Sequence, residues 1–86
     1  MNFRAEINVM PQKALLDPQG KTVHQSMHLI GLESVENVRI GKHITMEFEA
    51  DNEDAARKMV EKACTELLAN QVMEYFEFEL SQVEPA

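Results

Sequence analysis

The chain opens on strict alternation. Phe3, Ala5, Ile7 and Val9 fall on one face of an extended backbone, with Arg4, Glu6 and Asn8 on the other. That is the period of a half-buried strand. Pro11 closes it, because proline has no N–H to give to a sheet ladder. A polar connection then runs to Leu15, Leu16 and Asp17. Asp17-Pro18 predicts a helix start: the carboxylate can accept the free N–H groups of a first turn, and proline suits the position after the cap. The helix is expected over about 18–30, with Val23, Met27 and Ile30 as its buried stripe and Gly31 as a left-handed stop.

Alternation returns over about 35–50. Val38 and Ile40 precede Gly41-Lys42, after which Ile44, Met46 and Phe48 alternate with Thr45, Glu47 and Glu49. Two strands joined by a tight turn or bulge at Gly41 fit this pattern, and one long strand kinked at Gly41 is the alternative. A second helix is expected from Asp51. Acidic Asp51, Glu53 and Asp54 complement the dipole of its first turn. The pairs Ala55/Ala56, Met59/Val60, Ala63/Cys64 and Leu67/Leu68 form its apolar face, and Asn70 is read as a left-handed cap. A last strand over about 72–80 sets Phe76, Phe78 and Leu80 against Tyr75, Glu77 and Glu79, and 81–86 reads as a loose tail.

The order strand, helix, strand, strand, helix, strand predicts an α+β fold. It corresponds to one ferredoxin-like βαββαβ unit, an antiparallel sheet with two helices on one face. One domain over 1–86 suits the length. The sheet keeps a second face and two edges, so dimerisation through the sheet is expected.

Charge and composition narrow the function classes. Fifteen acidic against eight basic residues give a net charge of −7. That argues against nucleic acid and against an acidic membrane surface as partners. The hydrophobic fraction of 44% is that of a globular domain. No apolar run approaches the roughly 20 residues that cross a bilayer, and no signal peptide is visible, so a cytoplasmic location is expected. The single Cys64 can form neither an internal disulfide nor a thiolate metal cluster.

Motifs for chemistry are weak. Gly20-Lys21-Thr22 imitates the end of a phosphate loop, but Leu15 stands where the first glycine is required. His24 and His28 have metal-ligand spacing, but Gln25 replaces the glutamate of the zinc-protease motif, and they read as two solvent-side histidines. Cys64 sits on an apolar stripe with no base assigned to it. Glu47, Glu49, Glu74, Glu77 and Glu79 form no evident acid/base pair. The basic turn Arg39, Lys42 and His43 around Gly41 could grip a carboxylate or phosphate.

Three stretches together are specific. Leu15-Leu16-Asp17-Pro18-Gln19-Gly20-Lys21, Val38-Arg39-Ile40-Gly41-Lys42 and Leu67-Leu68-Ala69-Asn70 resemble, in order and spacing, the PurS family. Its members are the small subunit of phosphoribosylformylglycinamidine synthase. The resemblance runs from about Phe3 to Leu80. It implies a non-catalytic assembly subunit in purine synthesis, in a complex that makes formylglycinamidine ribonucleotide from formylglycinamide ribonucleotide with ATP and glutamine. It implies a homodimer, or a dimer of dimers, that bridges a large synthetase subunit and a glutaminase subunit and assists ammonia transfer. ATP and Mg belong to the synthetase, and no cofactor is expected on this chain. Asp17, Gly20, Arg39, Gly41, Lys42 and Asn70 are the expected partner-contact or loop-shaping residues. The alternative is a ferredoxin-like dimeric module that senses a small ligand through the Arg39/Lys42 turn.

Overall fold

The computed structural model describes residues 1–13 and 17–84. Leu15 and Leu16, with the first part of the leading family motif, lie outside the described residues.

Strand β1 (Asn2–Pro11) is the centre of a three-stranded antiparallel sheet of order β2-β1-β3, with β2 over Lys42–Glu49 and β3 over Glu74–Val83. Register puts like faces together. Ala5 lies between Met46 and Leu80, and Ile7 between Ile44 and Phe78. Because side chains alternate, every apolar position predicted for β1 arrives on one face: Phe3, Ala5, Ile7 and Val9 are buried.

Helix α1 spans Pro18–Leu29 and helix α2 spans Glu53–Ala63, the latter running on through a π-helical turn at Cys64–Leu68. Asn52 caps α2 by accepting the Ala55 N–H at 2.8 Å. Ala56, Val60 and Cys64, at spacings of four, cover the inner sheet face and complete the core with Ala69. Arg57 crosses over the Phe78 ring at 5.8 Å from its centroid. The outer face is polar, with Arg4 paired to Glu47 at 2.9 Å and His43 Nδ1 bonded to Asn8 Oδ1 at 2.7 Å.

The α+β class stands, with three strands in place of the four expected. The 35–40 stretch is not a strand. Asn37 takes a left-handed φ of 55°, which breaks extension, and the Ile40 N–H goes to the Asp17 carboxylate instead of a ladder. Strand β3 extends past Leu80, and the supposed tail pairs through Val83, opposite Asn2. Asn70 is not left-handed among the described residues, and Ala69 leaves the π turn in extended conformation.

Helix α1 differs most from expectation. Gly31 makes the left-handed stop at φ 90°, but the predicted stripe is only partly covered: Val23 and Met27 are half-buried, Ile30 is 72% exposed, and Gly20 is the one buried residue of the helix. Leu29 and Leu32 are exposed beside it. The radius of gyration is 16.7 Å, against about 12 Å for a compact chain of this length. No described helix is long and apolar enough to cross a membrane.

Candidate functional site

The six residues singled out in the sequence converge on one end of the sheet. There the last residues of β1, the first of β2 and β3 and the first turn of α1 meet. A cavity of about 330 Å³ opens among Pro11, Asp17, Gln19, Ile40, Asn70 and Glu74.

Asp17 is the cap its position predicts. Its Oδ1 accepts the Gly20 N–H at 3.0 Å, and its Oδ2 accepts the Ile40 N–H at 2.8 Å. Those two donors, Gly20 first, and then the Arg39 charge hold the carboxyl below its ordinary pKa. One side chain thereby starts α1 and fixes the chain just before β2.

Two glycines are required by close approach. A Cβ on Gly20 would overlap the Val38 carbonyl oxygen, and one on Gly41 would overlap the Met10 sulfur and the Val9 carbonyl oxygen. Neither has the positive φ that a turn glycine would show. Gly41 therefore lets the backbone before β2 pass beside the end of β1.

Arg39 is occupied by its own chain. Its guanidinium donates to the carbonyl oxygens of Pro11 at 2.9 Å, Gln12 at 2.7 Å and Lys13 at 3.3 Å. A fork of donors is what three successive carbonyls require. The anion grip read from the basic turn is thus replaced, at Arg39, by a brace on the exit from β1. His43 likewise faces Asn8 on the outer sheet face.

Lys42 and Asn70 meet at Glu74. Glu74 Oε1 accepts the Asn70 N–H at 2.9 Å, and Oε2 lies 3.8 Å from Lys42 Nζ. Asn70 Oδ1 accepts the Val72 N–H at 3.2 Å, and its carbonyl oxygen accepts the Glu74 N–H at 2.6 Å. Asn70 therefore shapes a turn by its side chain and not by a left-handed φ. Gln12 ties the turn to β1 through its backbone N–H to Met73 O at 2.8 Å and its amide to Glu74 O at 3.0 Å.

Sequence reasoning missed Gln12 and Glu74. Glu74 looked like one more outward strand carboxylate, and Gln12 lay in a polar connection with no periodicity to mark it. The proline that ends β1 was the available signal, since whatever follows it must be fixed by side chains.

The site holds shape and one accessible charge. Cys64 is buried, and desolvation first, then the Glu61 charge, pushes its thiol pKa up, the reverse of what a nucleophile needs. No three His, Cys, Asp or Glu side chains are grouped to hold a metal ion among the described residues.

Comparison with known proteins gives one family. The model of the family described as "Phosphoribosylformylglycinamidine (FGAM) synthase", PurS, matches residues 4–82. The PurS subunit of this synthase from Synechocystis is 35% identical over 85 residues, covering 99% of this chain and 85% of that protein. The Thermotoga maritima subunit is 37% identical over 75 residues, covering 87% and 92%. Among solved structures, Bacillus subtilis PurS superposes with a TM-score of 0.84 at 31% identity, covering 93% of this chain and 99% of that one. A chain of the PurLQS structure from Thermotoga maritima superposes at 0.85 with 34% identity, covering 94% and 99%. The chain belongs to the PurS family of phosphoribosylformylglycinamidine synthase subunits.

Proposed function

We propose that this chain is a non-catalytic assembly subunit of phosphoribosylformylglycinamidine synthase in purine biosynthesis. It works as a cytoplasmic homodimer that bridges the synthetase and glutaminase subunits and assists ammonia transfer between them. ATP and Mg are used on the synthetase.

One observation carries the reading. Asp17, Gly20, Arg39, Gly41 and Asn70 are gathered into a single braced end of the sheet and engaged with backbone groups, with Lys42 beside Glu74, leaving a fixed surface with no reactive side chain. A surface of that kind suits docking, where preorganised loops lower the entropy lost on association. The kinship with a chain of the PurLQS structure supports assembly. The elongated shape and the exposed Leu29, Ile30 and Leu32 give a second copy apolar area to cover.

Light scattering on the pure chain, then on its mixture with the synthetase and glutaminase, tests this. A dimer that joins both in one larger particle is expected. A chain that stays separate from both overturns the bridging role.

A further inference from the structure

His24 and His28 lie one turn apart on α1, and their Nε2 atoms are 3.2 Å apart. The rings meet edge to face, with centroids 4.7 Å apart. His24 is not the solvent-side residue its sequence position suggests: it is half-buried, and its Nε2 is 2.8 Å from the Val35 carbonyl oxygen. A single proton on His24 Nε2 satisfies both the Val35 oxygen and the His28 Nε2 lone pair. Three donor atoms thus surround one proton, from two different parts of the chain.

We propose that this is a binding site for a divalent transition-metal ion of the zinc or copper type. Nε2 of His24, Nε2 of His28 and the Val35 carbonyl oxygen are the protein ligands, and water fills the remaining positions. Metal–nitrogen bonds of about 2.0–2.1 Å at a tetrahedral angle place two imidazole nitrogens about 3.3 Å apart. The observed 3.2 Å between the nitrogens matches that spacing, and the Val35 oxygen, 2.8 Å from His24 Nε2, has to draw back by about half an ångström to join them. On binding, the His24 proton moves from Nε2 to Nδ1, the nitrogen on which His28 already carries its own, so two lone pairs turn to the metal and the Val35 oxygen exchanges a proton donor for the cation.

The surroundings favour a cation. His28 is in the last turn of α1, where the helix dipole presents its negative end. The whole chain carries a net charge of −7, which raises cation concentration near its surface. Imidazole selects zinc, copper and nickel over magnesium and calcium, with copper bound most tightly.

The ion would act as a staple. Val35 begins the irregular stretch that ends at Gly41, and that stretch carries Val38 against Gly20, Arg39 to the end of β1 and Ile40 to Asp17. Joining α1 to Val35 closes this stretch at its far end, so metal binding would stiffen the same segment that shapes the docking surface.

Isothermal titration calorimetry of the whole chain with zinc chloride and copper(II) chloride at neutral pH, in a non-coordinating buffer, tests the site. One ion per chain is expected for the natural sequence, with copper tighter than zinc. His28→Ala is the deciding variant because His28 is exposed and its loss spares the fold. It should weaken binding by about tenfold or more, at least the loss seen when only an outer-shell partner is removed. His43→Ala should leave binding unchanged. Electron paramagnetic resonance of the copper form should show coupling to two imidazole nitrogens, falling to one in His28→Ala. Affinity that survives His28→Ala, or no saturable binding of either ion, overturns the proposal.

Discussion

The Asp17 carboxylate and the Ile40 N–H meet at 2.8 Å across 23 positions of sequence, and this bond joins the start of α1 to the approach to β2. Its other oxygen is already spent on Gly20, so one carboxylate closes the whole segment between them. A helix cap usually serves its own first turn. Here it also determines where β2 begins.

That double role makes the segment acid-sensitive. The Gly20 and Ile40 N–H groups favour the ionised form, and the folded pKa of Asp17 lies below its unfolded value. The unfolded chain therefore binds the proton more readily. The stabilisation is complete above the ordinary carboxylate range, near pH 4, and is lost as pH falls through the folded pKa. Asp17→Asn should be less stable than the natural chain at neutral pH. Urea unfolding should show that deficit shrinking as pH falls toward 3, while a deficit constant with pH would refute the assignment.

Gly20→Ala opposes two effects. Alanine is favoured over glycine within a helix by about 1 kcal/mol on intrinsic propensity alone. Its Cβ would overlap the Val38 carbonyl oxygen and lie 2.8 Å from Asp17 Oδ2, both fixed parts of the brace. Overpacking of that kind costs about 1–3 kcal/mol, so the substitution should destabilise. Lys21→Ala, one position on and exposed, should be neutral or mildly stabilising in the same urea titration.

The sheet was legible because alternation is a strong signal. Phe3, Ala5, Ile7 and Val9 could not be shifted by one residue without exposing all four. The Asp17-Pro18 start was legible for a similar reason, since it needs only local chemistry. The 35–40 stretch misled because Val38 and Ile40 alternate as a strand would, although both are only half-buried at a loop. What decides their conformation is a carboxylate 23 positions away, which no local pattern records. The stripe of α1 misled differently. Its spacing is that of a buried face, and a single chain leaves Ile30 exposed. Asp17, Arg39, Gly41, Lys42 and Asn70 were each marked by local chemistry, but that they belong to one site was legible only through family resemblance, for most of their contacts join distant segments.

Arg39→Lys should loosen the exit from β1. Lysine keeps the charge but has no planar fork to reach three successive carbonyls. Hydrogen bonds from a charged donor are each worth about 1.5–3 kcal/mol when buried, and partial exposure brings the expected loss to on the order of 1–2 kcal/mol. Amide exchange at Gln12, which donates to Met73 O, should quicken. Unchanged exchange there would show that the brace is not what orders this loop.

Cys64 should be slow to react. It is fully buried at the C-terminal end of α2, and burial raises its thiol pKa, so little thiolate is present or accessible. Labelling with iodoacetamide at mildly alkaline pH should proceed only through opening of the structure. Adding denaturing urea should accelerate it by orders of magnitude. Rapid labelling of the native chain would contradict the packing of α2 on β1.

Lys42 offers the sharpest test of docking. Arg39 is consumed by backbone, and Asp17 and Asn70 by turns, which leaves Lys42 as the charged end exposed at this site, with 57% of its side chain accessible. Its ion pair with Glu74 spans 3.8 Å at the surface, and such pairs contribute about 0–1 kcal/mol. Lys42→Ala should therefore leave Tm nearly unchanged. Glu74 keeps its bond to the Asn70 N–H, so the turn beneath should hold its shape. If this end docks a synthetase or glutaminase surface, losing its accessible cation should slow association and reduce its salt dependence, as rim charges act on encounter. Surface plasmon resonance at two ionic strengths reads both effects. Association rates equal to the natural chain at low salt would remove Lys42 from the interface and leave this end of the sheet a purely internal brace.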